Sequence, residues 1–322
     1  MVRNDFNDII EFFAQNERPE IPRDKDVLEE GLINQFKDFK YRFVDDGSRI
    51  EISQELNSDL LRSLFNNELS AIHIKKFVSE EVCNKLGGNL KDNFTSAKWE
   101  DTDMFQGYGF PVNRMFGPTV DDSINYFKQV IPTIRKIRNI CDGVSPVDKL
   151  RLELDELWSN GCRIGAINPF NRKMFVGLTR LMTPQGLVGK ATRVNGLIHI
   201  DTSLHTENAV EGLFSSNIYL DSPKEGGELC IWNVTKSEVF SAEFDYLNKL
   251  LDSAFSKKYR EEIQEILQNI LPEPILIKPE KGDLVILNSG RPHAVRGFEE
   301  GVRISMQTFI SYGADTTLQL FS

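Results

Sequence analysis

The sequence predicts an α+β protein: a mainly helical first half, then an antiparallel β sandwich or barrel broken by one helical insertion. Three observations carry this. Apolar residues recur at helical spacing in several segments before about residue 160. After Gly161 the pattern changes to short strand-like runs at 173–182, 191–201, 213–220, 228–233, 275–278, 284–288 and 302–312. Turn-forming clusters separate those runs, among them Thr183-Pro184-Gln185-Gly186, Lys224-Glu225-Gly226-Gly227 and Lys281-Gly282-Asp283. The division that follows is a helical region over 1–160 packing on a β core over 161–322, with the insertion at about 241–271.

The bulk properties set limits. A chain of 322 residues holds two domains or one large β-rich domain with helical additions. Hydrophobic content of 40% and charged content of 27% are those of a globular protein. A net charge of −10 argues against duplex nucleic acid and an anionic membrane surface as partners, because both need clustered cations. No apolar run approaches the roughly 18 residues of a membrane span, and the charged N-terminus lacks the apolar centre of a secretory signal. Cys83, Cys141, Cys162 and Cys230 lie far apart with no Cys-x-x-Cys pair. They read as reduced thiols in a cytoplasmic protein.

In chain order, residues 5–13 carry Phe6, Ile9, Ile10 and Phe13 at helical spacing, and a second helical piece is expected at 28–36. Residues 70–86 open as an alternating strand containing His73, then turn into a helix whose N-cap is Ser79, with Glu80 and Glu81 in the first turn. A lone histidine in such an apolar strand is expected to be a packed, satisfied side chain. From 121 to 141 a helical stripe runs through Ile124, Phe127, Ile131, Ile134 and Ile137, with a kink or break expected at Pro132. Another helix is expected over 150–158. The insertion carries Phe244, Leu247, Leu250, Leu251 and Phe255 on one face. Such a segment either covers a site or packs on the outside.

The chemistry starts at Leu197-Ile198-His199-Ile200-Asp201. On a strand, residues two apart face the same way, so an imidazole and a carboxylate stand side by side. His293, far downstream in Arg291-Pro292-His293, completes a set of two histidines and one carboxylate. That set takes one face of an octahedral metal and leaves positions open, as suits non-haem Fe(II). The competing reading is a buried, satisfied His–Asp pair, and His205 is an alternative second ligand. Arg303 and Ser305 share a strand face beyond His293. A guanidinium with an adjacent hydroxyl suits a carboxylate, and a dicarboxylic co-substrate chelating the metal at one end needs such a partner at the other.

These residues resemble the Fe(II)/2-oxoglutarate-dependent oxygenases. The resemblance rests on His199-Ile200-Asp201, His293 and Arg303-Ile304-Ser305. It is supported by Pro223-Lys224-Glu225-Gly226-Gly227-Glu228-Leu229, by the run from Lys281-Gly282-Asp283 to Asn288, and by the strand–helix entry over 72–86. It covers 160–322 well and 70–160 loosely. Within that superfamily the chain looks most like a bacterial specialised-metabolite branch containing carrier-protein-independent halogenases and hydroxylase relatives.

The resemblance implies a double-stranded β-helix (jelly-roll) core with N-terminal helices. It implies Fe(II) on His199, Asp201 and His293, and 2-oxoglutarate on Arg303 and Ser305 with help from Asn217 or Tyr219. It also implies O2 as oxidant, succinate and CO2 as by-products, and a small-molecule substrate. Arg193, Asn195, Arg180 and Arg291 are candidate substrate contacts; the alternative is that they are rim residues, Arg291 paired with a rim carboxylate. Arg193 and Arg291 favour a substrate bearing a carboxylate or phosphate. Halogenases of this type carry Gly or Ala where Asp201 stands, which leaves room for chloride. Retention of Asp201 therefore favours hydroxylation or a related oxidation over halogenation, while desaturation, epoxidation and ring closure (cyclisation) stay open as alternatives. The remaining alternatives are a non-enzymatic jelly-roll binding protein and a hydroxylase acting on a macromolecule.

Overall fold

The computed structural model describes residues 6–15, 34, 41–91, 106–110, 119–166, 170–184, 197–201, 212–234, 242–254, 258–312 and 317–322. The architecture is a jelly roll of two facing sheets, helix-backed on both outer surfaces. Among the described residues the larger sheet has nine strands, seven of them in the order β1 (Arg49–Ser53), β2 (Leu69–Ile74), β9 (Leu284–Asn288), β6 (Gly212–Asp221), β11 (Arg303–Tyr312), β12 (Leu318–Phe321) and β4 (Cys162–Ile164). β5 (Leu178–Met182) pairs with β11 on the edge opposite β6, and β3 (Gln106–Tyr108) pairs with β5. The smaller sheet runs β10 (His293–Val295), β7 (Leu229–Ile231), β8 (Ile275–Ile277). β1–β2 and β12–β4 are parallel; every other pairing is antiparallel.

The two-residue period of each strand sorts its side chains between layers. Ala71, Tyr219, Val285 and Leu287 of the large sheet meet Leu229, Ile231 and Ile277 of the small sheet in one interior cluster. Their neighbours point outward. Ile72, Ile74, Phe214, Ile218, Ile286, Ile304 and Met306 form the main core with the helices α1 (Asn7–Gln15), α2 (Ser58–Phe65), α3 (Glu80–Lys91), α4 (Val120–Ile140) and α5 (Pro146–Leu157). On the far side, Cys230, Trp232 and Ala294 pack against α6 (Ala242–Asp252) and α7 (Arg260–Ile270).

Local chemistry explains the element ends. Thr119 and Ser145 open α4 and α5 with reciprocal capping boxes to Asp122 and Asp148. Gly226 holds φ at +70°, and a Cβ there would collide with the Gly297 carbonyl oxygen. The turn before β7 thus needs glycine.

Several expectations are corrected. α4 is one continuous helix through Pro132, so the break expected there is absent. Pro132 lies on the exposed face, so the carbonyl it leaves without a donor faces water. Ile131 is likewise exposed, and Tyr126 and Val130 complete the buried stripe. The insertion forms two helices rather than one stripe; Phe255, and the helix expected at 28–36 apart from Asn34, lie outside the described residues. The expected strand at 191–201 is described only from Leu197, where it makes a single bridge. No helix among the described residues is long and apolar enough to cross a membrane.

Candidate metal centre

The segment Leu197 to Asp201 lies along the free edge of β10. His199 and His293 exchange main-chain hydrogen bonds: His199 N–H donates to His293 O at 3.1 Å, and His293 N–H to His199 O at 2.8 Å. Asp201 N–H donates to Ser289 O at 2.9 Å. Ile198 points outward and is fully buried in the helical cluster behind the small sheet. The alternation therefore turns His199 and Asp201 inward, beside His293. The two rings lie 4.4 Å apart between centroids, tilted by 47°.

Both rings are held as the same tautomer. His199 Nδ1–H donates to Leu197 O at 2.8 Å, and His293 Nδ1–H to Arg291 O at 2.9 Å. A carbonyl only accepts, so each neutral ring carries its proton on Nδ1 and offers the Nε2 lone pair. These Nε2 atoms face Asp201, at 4.0 Å from Oδ1 for His199 and 3.5 Å from Oδ2 for His293. One ligand atom from each of the three residues falls within 4.8 Å of the others. Burial pushes the His199 pKa down to about 4, with the neighbouring His293 adding to the effect. Burial works to raise the Asp201 carboxyl, but His293, His199 and Arg180 outweigh it and hold it below the usual carboxylate range. A neutral imidazole and an ionised carboxylate at neutral pH are the states that ligate a metal.

The inner faces of β5, β6 and β11 add a polar lining. Arg303 is 1% exposed. Its Nη2 donates to Tyr219 Oη at 2.9 Å, its guanidinium lies 4.9 Å from the centre of that ring, and Nη1 reaches Met182 Sδ at 3.4 Å. No carboxylate among the described residues pairs with it, and Nε has no partner. Ser305, fully buried, has an Oγ with no hydrogen-bond partner. A buried guanidinium without an anion costs several kcal/mol, roughly, relative to a paired one. Arg303 and Ser305 together therefore fit a missing carboxylate. Arg180 Nη2 donates to Asn217 Oδ1 at 2.6 Å. Burial and the Arg303 charge draw the Arg180 pKa down to about 10, and Asp201 opposes them. Asn217 Nδ2 and Gln307 Nε2 both donate to Ser215 Oγ at 3.3 Å.

The sequence-derived residues thus separate. His199, Asp201 and His293 converge, and Arg303, Ser305, Tyr219, Asn217 and Arg180 line the neighbouring strands. Arg193, Asn195 and His205 lie outside the described residues. Arg291 is the partner of a rim carboxylate: Nη1 donates to Asp46 Oδ2 at 2.6 Å and Nη2 to Ser48 Oγ at 2.8 Å. His73 is satisfied, with Nε2 2.8 Å from Asp283 Oδ2. Two groups around the site were missed. Asp46 reads as turn sequence in Asp45-Asp46-Gly47-Ser48. Gln264 gave a usable signal, because a polar residue interrupts the apolar stripe of Ile263, Ile266, Leu267 and Ile270.

A family model described as "carrier-protein-independent halogenase WelO5" matches residues 48–320. The chain belongs to this WelO5 family. Membership bears out the Fe(II)/2-oxoglutarate oxygenase resemblance and makes the chain an oxidoreductase of that superfamily. Among solved structures, an N-substituted L-amino acid dioxygenase from Burkholderia ambifaria AMMD superposes with a TM-score of 0.51 at 12% identity, covering 82% of this chain and 91% of that one. At that identity the likeness shows the fold. HygX from Streptomyces hygroscopicus, solved with nickel and 2-oxoglutarate, aligns at a TM-score of 0.42 and 11% identity, covering 81% and 89%. No curated protein matches the chain.

Proposed function

We propose that the protein is a cytoplasmic Fe(II)/2-oxoglutarate-dependent dioxygenase that hydroxylates a small molecule of specialised metabolism. The observation that carries hydroxylation is Asp201, whose carboxylate faces the Nε2 atoms of His199 and His293. With iron bound, the metal and 2-oxoglutarate would activate O2, yielding succinate, CO2 and an oxygenated substrate. His199, Asp201 and His293 would hold the metal, and their fixed tautomers present Nε2 without a proton to displace. Arg303 would take the far carboxylate of 2-oxoglutarate and Ser305 Oγ would donate to it, supplying an anion for the guanidinium and a partner for the hydroxyl. Tyr219 fixes the guanidinium through its hydroxyl and ring face. Asn217 orients Arg180, which stands as a substrate contact. Leu229, Ile231 and Leu287 pack in one apolar interior cluster, with Ile231 paired across the small sheet to His293. The cytoplasmic assignment draws support from the four free cysteines.

The family description favours a second reading, halogenation at the same scaffold. Asp201 weighs against it by filling the position that a halide would take. Product mass spectrometry in chloride buffer separates the two. A gain of one oxygen supports hydroxylation, and a chlorine isotope doublet from the wild-type chain would overturn it. Anaerobic addition of Fe(II) and 2-oxoglutarate tests the site itself. A weak metal-to-ligand charge-transfer band is expected, and its loss in Arg303→Ala at low co-substrate would tie the band to that guanidinium.

A further inference from the structure

The insertion packs outside the jelly roll, yet one of its side chains reaches the metal-binding segment. Gln264 of α7 is 3% exposed in an otherwise apolar stripe. Its amide grips the main chain of Ile198 twice: Oε1 accepts from Ile198 N–H at 2.7 Å, and Nε2 donates to Ile198 O at 3.0 Å. Strand geometry explains the need. His199 exchanges main-chain hydrogen bonds with β10 and Asp201 N–H donates to Ser289 O, so the main-chain groups of Ile198 point the other way, off the sheet edge and into a buried layer. Unpaired, that N–H and C=O would each carry a desolvation penalty. Gln264 acts as a side-chain substitute for one more strand.

The clamp has a second consequence. The N–H that Gln264 Oε1 accepts belongs to the peptide group joining Leu197 to Ile198. The carbonyl of that same peptide accepts the Nδ1–H of His199. Gln264, one peptide unit and the imidazole thus form a continuous hydrogen-bond chain, in which each bond polarises the next. The other acceptor, Ile198 O, belongs to the peptide that carries the His199 N–H, itself bonded to β10.

We propose that Gln264 is a positioning residue for the metal centre. It fixes the peptides on both sides of Ile198, and so the orientation and basicity of His199. This rests on the iron reading above. Outer partners of metal-ligating histidines typically change metal affinity by about 10–100-fold. The role assigned to the insertion is accordingly bracing the His199 arm from outside.

The test is anaerobic Co(II) titration of the full chain, read by the visible d–d absorption, beside thermal melting of the metal-free protein. Gln264→Met, similar in volume but without amide groups, is expected to bind Co(II) about tenfold more weakly with an altered band. Leu267→Ala, in the same helix and core, is expected to melt at least as low while keeping wild-type affinity and spectrum. Equal affinity and spectrum for Gln264→Met and wild type would overturn the proposal, as would equal weakening by Leu267→Ala. Should Gln264→Met fail to fold, Gln264→Asn decides. Its amide sits one methylene short of both Ile198 groups, so affinity should fall about threefold, and an unchanged value would overturn the clamp. A wild-type chain that binds no Co(II), like His293→Ala, would overturn the iron reading itself, a different outcome from failure of the clamp alone.

Discussion

The two faces of β6 and β11 are made of alternating residues on the same strands, yet they do opposite work. Outward, Phe214, Ile218, Ile304 and Met306 join the helix-backed core. Inward, Ser215, Asn217, Arg303, Ser305 and Gln307 are just as buried but polar, and two of their atoms lack partners. The outer face contributes stability through apolar burial, while the inner face carries unmet polar groups that weaken the fold until a ligand arrives. Stability and binding are therefore separated by a single step along the chain, and substitutions on the two faces should fail in different assays.

The largest effect is expected at the triad. Asp201→Ala or His293→Ala should abolish substrate-dependent succinate release, and retained turnover would remove the metal assignment. On the outer face, Phe214→Ala should cost about 4 kcal/mol of unfolding free energy by denaturant titration, while 2-oxoglutarate affinity in the folded fraction stays at the wild-type value. Arg303→Ala should do the reverse. Losing the charged partner of a buried carboxylate costs about 3 kcal/mol, over a hundredfold in 2-oxoglutarate affinity, with a melting temperature unchanged or raised. A large drop in melting temperature instead would mean that the guanidinium stabilises the fold and that the two faces are not separable in this way.

A smaller effect is expected at the edge of the inner layer. Asp283 is fully buried and bonded to His73, Lys75 and two main-chain N–H groups. Burial works to raise its carboxyl, but His73 and Lys75 hold it well below the usual carboxylate range. A carboxylate depressed in the folded state stabilises above its unfolded pKa, and that contribution is lost as pH falls through the folded value. Asp283→Asn should therefore cost about 2 kcal/mol at pH 7 and flatten the decline in stability below about pH 4. A parallel decline in both proteins would remove this network from acid unfolding. Smallest is Ser305→Ala, expected to weaken 2-oxoglutarate about fivefold, the value of one hydrogen bond.

How much of this was legible in the sequence depended on whether the signal was local. β9 runs over 284–288 as expected, and β6 extends the expected 213–220 by one residue at each end, because period-2 alternation and flanking turns are local. His199-x-Asp201 and Arg303-x-Ser305 were readable as same-face pairs because strand periodicity fixes which side chains share a face, whereas His293 joined them only through the ligand set and the order of motifs in the resemblance. The course of α4 through Pro132 was not, since solvation of one exposed carbonyl decides it. Nor was the commitment of Arg291 to Asp46, a pairing across 245 positions that no periodicity encodes. Gln264 lay between these cases: its oddness in an apolar stripe was visible, but its partner was not.

The locked tautomers of His199 and His293 have a consequence for the supply of metal. Two imidazole lone pairs and a carboxylate converge with no N–H donor among them, so the electrostatic demand is for a divalent cation in general. Affinity at such a nitrogen–oxygen site rises from manganese through iron toward copper and falls again at zinc. The ion that occupies the site in a cell would then be set by which metals are available when the chain folds. Protein prepared in the presence of nickel or zinc would carry these ions in place of iron, and chelation followed by Fe(II) under anaerobic conditions would be the step that reveals its activity.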